Sequence, residues 1–224
     1  MQCDFCNERK GIKTIYNEIY GDHDRTVFET EKFWSVPCMG QLREGHLLII
    51  SKEHINAMGM LELEALKEIK RILKTIAEFY KKEYEKDLMC FEHGVLDDQG
   101  NQGGCGIYHM HLHVLPINKQ EFAGIKENIS QDKVGEIVEI NKLEELKTCI
   151  EKKQTYLFLG IMEKSDQGEM DMVKNENNYF ESQYLRKVVS KIIGCSEWNW
   201  KKIGIKEETF FETLQKARQY GIKL

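Results

Sequence analysis

Residues 107–117 read Ile-Tyr-His-Met-His-Leu-His-Val-Leu-Pro-Ile, and this stretch decides the reading of the chain. In a strand, successive side chains point to opposite faces. His109, His111 and His113 then share one face, and Tyr108, Met110, Leu112 and Val114 share the other. A strand rises about 3.3 Å per residue, so neighbouring imidazoles project about 6.6 Å apart. Three titratable rings in a row along one edge of a pocket is a chemical arrangement. With seven histidines in 224 residues, chance produces His-x-His-x-His once in roughly a hundred or more such chains.

The apolar face of that strand needs a partner. Leu66, Ile69, Leu73, Ile76 and Tyr80 recur at three- and four-residue spacing, with Lys and Glu between them, and predict a helix over Leu61–Lys86. Around it, Thr26–Val36, His46–Ser51 and Asp87–Gly94 read as strands, and Asp97–Gly106 as a loop dense in Gly, Asp, Asn and Gln. Beyond Ile117 the character changes, which sets a boundary near residue 118: residues 1–117, then a second α+β unit over 118–224. Asn118–Glu139 is polar and takes no assignment. Asn141 is placed to cap a helix to Lys153. Tyr156–Met162 and Met170–Lys174 read as a hairpin across Ser165–Glu169. Ser182 is placed to cap a helix that stops at Gly194, and a last helix covers Lys206–Tyr220. The fold class expected is α+β.

Composition narrows the function classes. Apolar residues make up 41% and charged residues 31%, an ordinary balance for a globular chain. A net charge of −5 argues against a general nucleic-acid binder. No apolar run approaches the roughly 18 residues of a membrane span. Met1–Gly11 has no hydrophobic signal core, so a cytoplasmic protein with no membrane partner is expected. The seven cysteines are odd in number, which speaks against a disulfide framework, and only Cys3 and Cys6 show metal-ligand spacing. A thioredoxin-like role for that pair is disfavoured because no βαβ unit follows it.

The stretch Tyr108–Ile117 resembles the signature of the histidine-triad (HIT) nucleotide hydrolases and transferases, His-φ-His-φ-His-φ-φ with φ apolar. Cys3-x-x-Cys6, the segment Gly45–His54 before the long helix, and the Gly-rich loop before the triad fall in the same order as in that family. The resemblance covers about residues 1–117. It implies an antiparallel sheet with packed helices, and a homodimer is compatible with it. It makes His111 the nucleophile at the α-phosphate of a nucleotide, forming a nucleotidyl-histidine. It makes His113 and His46 the groups that orient the ring or stabilise the phosphate. A neutral imidazole attacks without a strong base. Cys3, Cys6, His54 and His109 match the zinc site of some members, and two thiolates with two imidazoles form a closed, structural tetrahedral site.

Just before the triad the chain departs from the common pattern. Cys105 and Gly106 stand where many members carry Gln and Ser or Thr, which leaves the leaving-group preference open. Gly104 and Gly106 can still offer backbone N–H groups to a phosphate, with Cys105 between them. His93 either reaches the same pocket or is a plain strand histidine. In the second half, Glu181–Lys187 and Trp198-Asn-Trp200 resemble a segment of longer HIT-like proteins. Gln183 and Arg186 then fall near a helix N-terminus, a phosphate-binding arrangement, while the two tryptophans read as core anchors. The substrate expected is a nucleotide or dinucleoside polyphosphate. Two alternatives stay open: a zinc-dependent hydrolase with the triad as metal ligands, and a non-catalytic nucleotide-binding module.

Overall fold

A computed structural model describes residues 3–96, 107–163, 168–201 and 207–222. The amphipathic segment forms helix α3, Leu63–Tyr84. Leu66, Ile69, Ile76 and Tyr80 on its inner face are fully buried, each contributing roughly 1.5–3 kcal/mol of apolar burial. They pack against Leu112 and Val114 of strand β5, His111–Ile117. Around β5 stand β1 (Phe28–Glu29), β2 (Phe33–Pro37), β3 (Leu47–Ser51) and β4 (Asp87–Gly94). Two short helices precede them, α1 (Asp4–Arg9) and α2 (Ile15–Tyr20).

The second half adds α4 (Lys119–Asp132), β6 (Glu136–Glu139), α5 (Lys147–Glu151), β7 (Tyr156–Met162), β8 (Gly168–Lys174), α6 (Tyr184–Ile193) and α7 (Glu207–Tyr220). One antiparallel sheet results, in the order β1-β2-β3-β5-β4-β7-β8-β6. β4 pairs with β7 from Leu88↔Met162 to Gly94↔Tyr156. The sheet is therefore continuous across the 117/118 boundary drawn from composition. α3 covers one face, and α4 and α6 cover part of the other through Phe122, Ile125, Leu185 and Val189. α1 lies over Trp34, Val36, Leu48 and Ile50 on that second face.

Several sequence expectations change in detail. The stretch Thr26–Val36 is two strands, not one, joined through a turn in which Thr30 and Phe33 bond each other. The triad strand starts at His111 rather than Ile107. The backbone N–H of Met110 is taken by the Ile55 carbonyl (2.6 Å), and its carbonyl accepts from Ser51 (3.3 Å), which turns His109 out of the ladder. The helix expected over 141–153 is a 3-10 turn, Leu143–Leu146, followed by short α5. Ser182 does not cap α6: the N-cap position is Gln183, in the left-handed region (φ 60°) with no side-chain cap. α4 fills the unassigned stretch, and its start is a capping box between Asn118 and Glu121. Among the described residues, no helix is long and apolar enough to cross a membrane.

The segment between β2 and β3 carries His46 and has no regular structure, so side chains hold it. Gln41 donates its amide to the Cys38 (3.0 Å) and His46 (2.9 Å) carbonyls. Thr213 of α7 donates to Gln41 Oε1 (3.2 Å) and accepts from the Gly45 N–H (2.9 Å). Arg43 grips Glu121 with two bonds and the Pro116 carbonyl with a third. Gly45 is required where it stands. Its φ is +87°, and a Cβ there would meet Tyr84 at 2.9 Å.

Thr213 is fully buried, and Thr213→Val keeps its shape while removing its bonds to the Gly45 N–H and Gln41 Oε1. The expected cost is about 1–3 kcal/mol, read as a lower urea midpoint with an unchanged m-value.

Candidate active site

His111 and His113 point from β5 to the face opposite α3, and each imidazole has a tautomer set by its neighbours. The Leu42 N–H donates to His46 Nδ1 (3.2 Å), so the proton of a neutral His46 sits on Nε2. That N–H donates to His113 Nδ1 (2.9 Å), which puts the His113 proton on Nε2. His111 Nδ1–H donates to the His109 carbonyl (2.6 Å), which leaves the lone pair of His111 on Nε2. His109 Nε2–H donates to the Ser51 carbonyl (2.8 Å), so its lone pair lies on Nδ1.

Packing holds these rings in place. Phe91 of β4 stacks on His113, with centroids 4.5 Å apart and planes 7° from parallel. Phe5 of α1 sets its edge against both His109 and His111, each at 5.7 Å. Burial holds the His46 and His113 pKa values well below the ordinary imidazole range. The Arg186 guanidinium lowers both further, and for His113 so do His46 and His111. Both rings are therefore neutral at pH 7. Behind the strand, burial raises the Glu92 carboxyl to about 7, against bonds from Tyr156 Oη–H (2.6 Å) and the Met58 N–H (2.7 Å) that favour its charge.

The four expected metal ligands meet. Cys3 Sγ lies 3.3 Å from His109 Nδ1, and Cys6 Sγ lies 3.3 Å from His54 Nδ1 and 3.6 Å from His109 Nδ1. All four ligand atoms fall within 4.8 Å of one another. Around a tetrahedral ion with the usual Zn–S and Zn–N lengths, S and N atoms sit roughly 3.5 Å apart. The group can hold a metal ion, and the His109–Ser51 bond is the outer contact that fixes a ligand imidazole.

A second cluster, Cys38, His46 and His113, is as compact but poorly suited to a cation. The Leu42 N–H keeps the His46 proton on the nitrogen that would have to ligate. Arg186 Nη1 also sits 3.4 Å from Cys38 Sγ, placing a positive charge against the thiol.

Arg186 comes to the triad, but not as a solvent-exposed cation. It is buried, with Nε on the Trp198 carbonyl (3.0 Å), Nη2 on the Gly40 carbonyl (2.7 Å) and Nη1 on Cys38. A guanidinium has five N–H groups, so among the described residues one on each terminal nitrogen is left over. Gln183 is turned to the same loop: its amide donates to Asn199 Oδ1 (3.2 Å) and accepts from the Trp200 N–H (3.3 Å). His93 shares a small cavity with His111, His113, Gln183 and Arg186. Gly104, Cys105 and Gly106 lie outside the described residues. A cleft opens on His111 and His113, lined by residues of α1 and α2 with Gly40 and Trp200.

Sequence reasoning missed Phe5, Cys38, Gly40 and Glu92. Gly40 carried a usable signal, since a glycine three residues past Pro37 marks close backbone approach. A Cβ there would come within 2.6 Å of Trp200 Cβ and 2.8 Å of Arg186 Nη2.

The sheet with its inward histidines defines a HIT-like protein. A family model described as "Protein similar to CwfJ C-terminal" matches residues 9–129, more than half of the chain, and the chain belongs to that family. Protein hit of Bacillus subtilis (strain 168) is 27% identical over 90 residues, which are 40% of this chain and 59% of that relative, under two thirds of its length. Among solved structures, a HIT family protein from Bacillus anthracis is 20% identical, with 58% of this chain and 96% of that one covered at a TM-score of 0.39. A Zn-bound histidine triad family protein from Mycobacterium smegmatis is 17% identical, with 69% and 99% covered at a TM-score of 0.40.

The buried His46–His113 pair has a pH consequence. The folded pKa values lie below the unfolded value of about 6.5, so the unfolded chain binds more protons in the window between them. Stability is full above that value and falls as pH drops toward the folded values. In His46→Gln the amide can accept from Leu42 and donate to His113 without titrating. Urea unfolding at pH 7.5 and pH 5 should show a smaller acid loss for this variant than for the parent.

Proposed function

We propose that the protein is a nucleotide phosphohydrolase or nucleotidyl transferase that acts at an α-phosphate through His111. The observation that carries this reading is the His109 carbonyl on His111 Nδ1–H. In the neutral ring this bond occupies the Nδ1 proton and puts the lone pair on Nε2, the form a nucleophile needs. His111 Nε2 bonds phosphorus while the bridging bond to the leaving group breaks, and the leaving group departs with that electron pair. His113 Nε2–H, backed by His46, donates in this reading to the non-bridging oxygens, where charge grows. Water or another acceptor then attacks phosphorus, the P–N bond breaks, and His111 is released with the nucleotide.

The two spare N–H groups of Arg186 supply the local positive site that an acidic chain needs for an anionic substrate. Gln183 acts in this reading by fixing the loop that Arg186 bonds, and His93 by lining the cavity behind the phosphate. Cys3, Cys6, His54 and His109 hold one zinc ion, whose contribution is structural. It clips α1, and with it Phe5, against the nucleophile. A metallohydrolase reading is disfavoured because the triad is divided: His109 faces the thiols, and His113 faces His46. The substrate class is a nucleotide or dinucleoside polyphosphate, and the second half, residues 118–224, contributes Arg186 rather than a separate site.

Two tests bear on this reading. His111→Asn should lower release of mononucleotide from dinucleoside polyphosphates by several orders of magnitude, with an unchanged thermal melt; near-parental turnover would refute the nucleophile. Metal analysis should give about one zinc per chain. Cys3→Ser should lose that zinc and melt earlier, and a metal-free protein of full stability would remove the site.

A further inference from the structure

We infer that Glu92 and Tyr156 are positioning residues for His111, a step that rests on the nucleophile assigned above. Their bonds fix the segment 55–60 behind the sheet, and that segment decides which nitrogen of the His111 ring carries the proton.

A helical turn leaves its first N–H groups without partners inside it. In the 3-10 turn Met58–Met60 these are the N–H groups of Met58 and Gly59, since bonding within the turn begins with Met60 on the Ala57 carbonyl (3.0 Å). Both are met from the sheet. Glu92 Oε1 accepts from Met58 (2.7 Å), and Tyr156 Oη accepts from Gly59 (2.9 Å). Tyr156 Oη–H then donates to Glu92 Oε2 (2.6 Å), which joins the two caps into one unit. Glu92, Tyr156 and Met58 are all buried. Burying a carboxyl costs free energy unless its oxygens are bonded, and here both are. The Tyr156 ring reaches Glu92 by lying over Gly94, its partner in the β4–β7 ladder, where a Cβ would overlap the ring.

The same segment reaches the triad. Three residues before Met58, the Ile55 carbonyl takes the Met110 N–H (2.6 Å). That bond turns His109 out of the β5 ladder and leaves its carbonyl to accept from His111 Nδ1–H (2.6 Å). Between the two anchors, Asn56 donates to the Leu96 carbonyl just past β4 (3.1 Å). Alternation puts Glu92 on the α3 face with Leu88 and Cys90, while Phe91 faces the histidines. Glu92 therefore acts from behind the sheet, through Met58, Ile55 and Met110. Without the caps the segment slackens, Met110 and His109 relax toward a regular strand, and the acceptor that keeps the His111 proton on Nδ1 is lost. The Nε2–H form of the ring then gains population, and that form has no lone pair on the attacking nitrogen.

The test reads the His111 tautomer in the long-range ¹H–¹⁵N spectrum of the protein as isolated, without nucleotide, at pH 8, where an ordinary imidazole is neutral. The parent should show the proton on Nδ1 and a bare Nε2. Glu92→Leu removes both acceptor oxygens at similar volume. Tyr156→Phe removes only the hydroxyl that meets Gly59, and decides the matter if the first variant does not fold. Each should raise the Nε2–H form of His111. Each should also lower kcat for mononucleotide release from dinucleoside polyphosphates by about 5- to 150-fold, with KM within about twofold. Glu92→Gln still accepts from Met58 and should keep the parent's tautomer and most of its kcat. A role in stability alone would lower the melting temperature and leave the tautomer and kcat of the folded variants as in the parent, which would overturn the inference. So would a Gln variant as slow as the Leu variant. A parent without turnover whose tautomer still responds to the variants would sink the nucleotide reading and leave the positioning role standing.

Discussion

The hydrogen bond from His46 Nε2 to His113 Nδ1, 2.9 Å long and fully enclosed, is the constraint on which the site depends. Two imidazoles so close and so dry cannot both carry a proton charge, and the Leu42 amide decides which nitrogen of each ring holds the neutral proton. A single backbone N–H in an irregular loop therefore sets the direction of every donor down to the cleft. The loop must be rigid for this to hold. Gln41 bonds across it, and Arg43 and Thr213 fasten it to α4 and α7.

The two halves of the molecule divide this work unequally. The first supplies the triad histidines and the two cysteines that meet His54 and His109. The second supplies a strand that closes the free edge of β4, a guanidinium next to the His46–His113 pair, and a helix that braces the loop. Arg186 illustrates the division: it bonds the first half through Gly40 and Cys38, and its own half through Trp198. It links the two as well as charging the cleft.

Much of this was legible in the sequence where one physical rule dominates. Alternation placed His111 and His113 on a common face, and the three-and-four spacing gave α3 nearly to its ends. Residues 87–94 and 156–162 are strands at the bounds their β-branched, aromatic and apolar content suggested. The triad and the metal group were reached through a resemblance, and the geometry has since placed those residues together. Legibility failed where tertiary contacts override local preference. His109 leaves the ladder because Ile55 captures the next amide. Ser182 loses its capping position to a left-handed Gln183, whose amide is engaged with the loop at 199–200. The Asn118–Glu121 capping box was readable but lay in a stretch too polar to show a helical stripe. Arg186 was readable as a phosphate-binding group but not as a buried one, because nothing local announces that Gly40, 146 residues away, offers it a carbonyl.

The Thr213 brace also fixes an order of events. Its bonds to Gly45 and Gln41 span 168 and 172 residues of chain. During synthesis the triad strand and its helix emerge first, at roughly 5–20 residues per second. The loop that orients His46 gains its last two bonds only when the helix bearing Thr213 docks. Until then the donor chain to His113 lacks its frame. The arrangement of the site is thus tied to completion of the fold, and a ribosome-bound fragment ending near β5 would carry all three triad histidines with the loop behind them still unbraced.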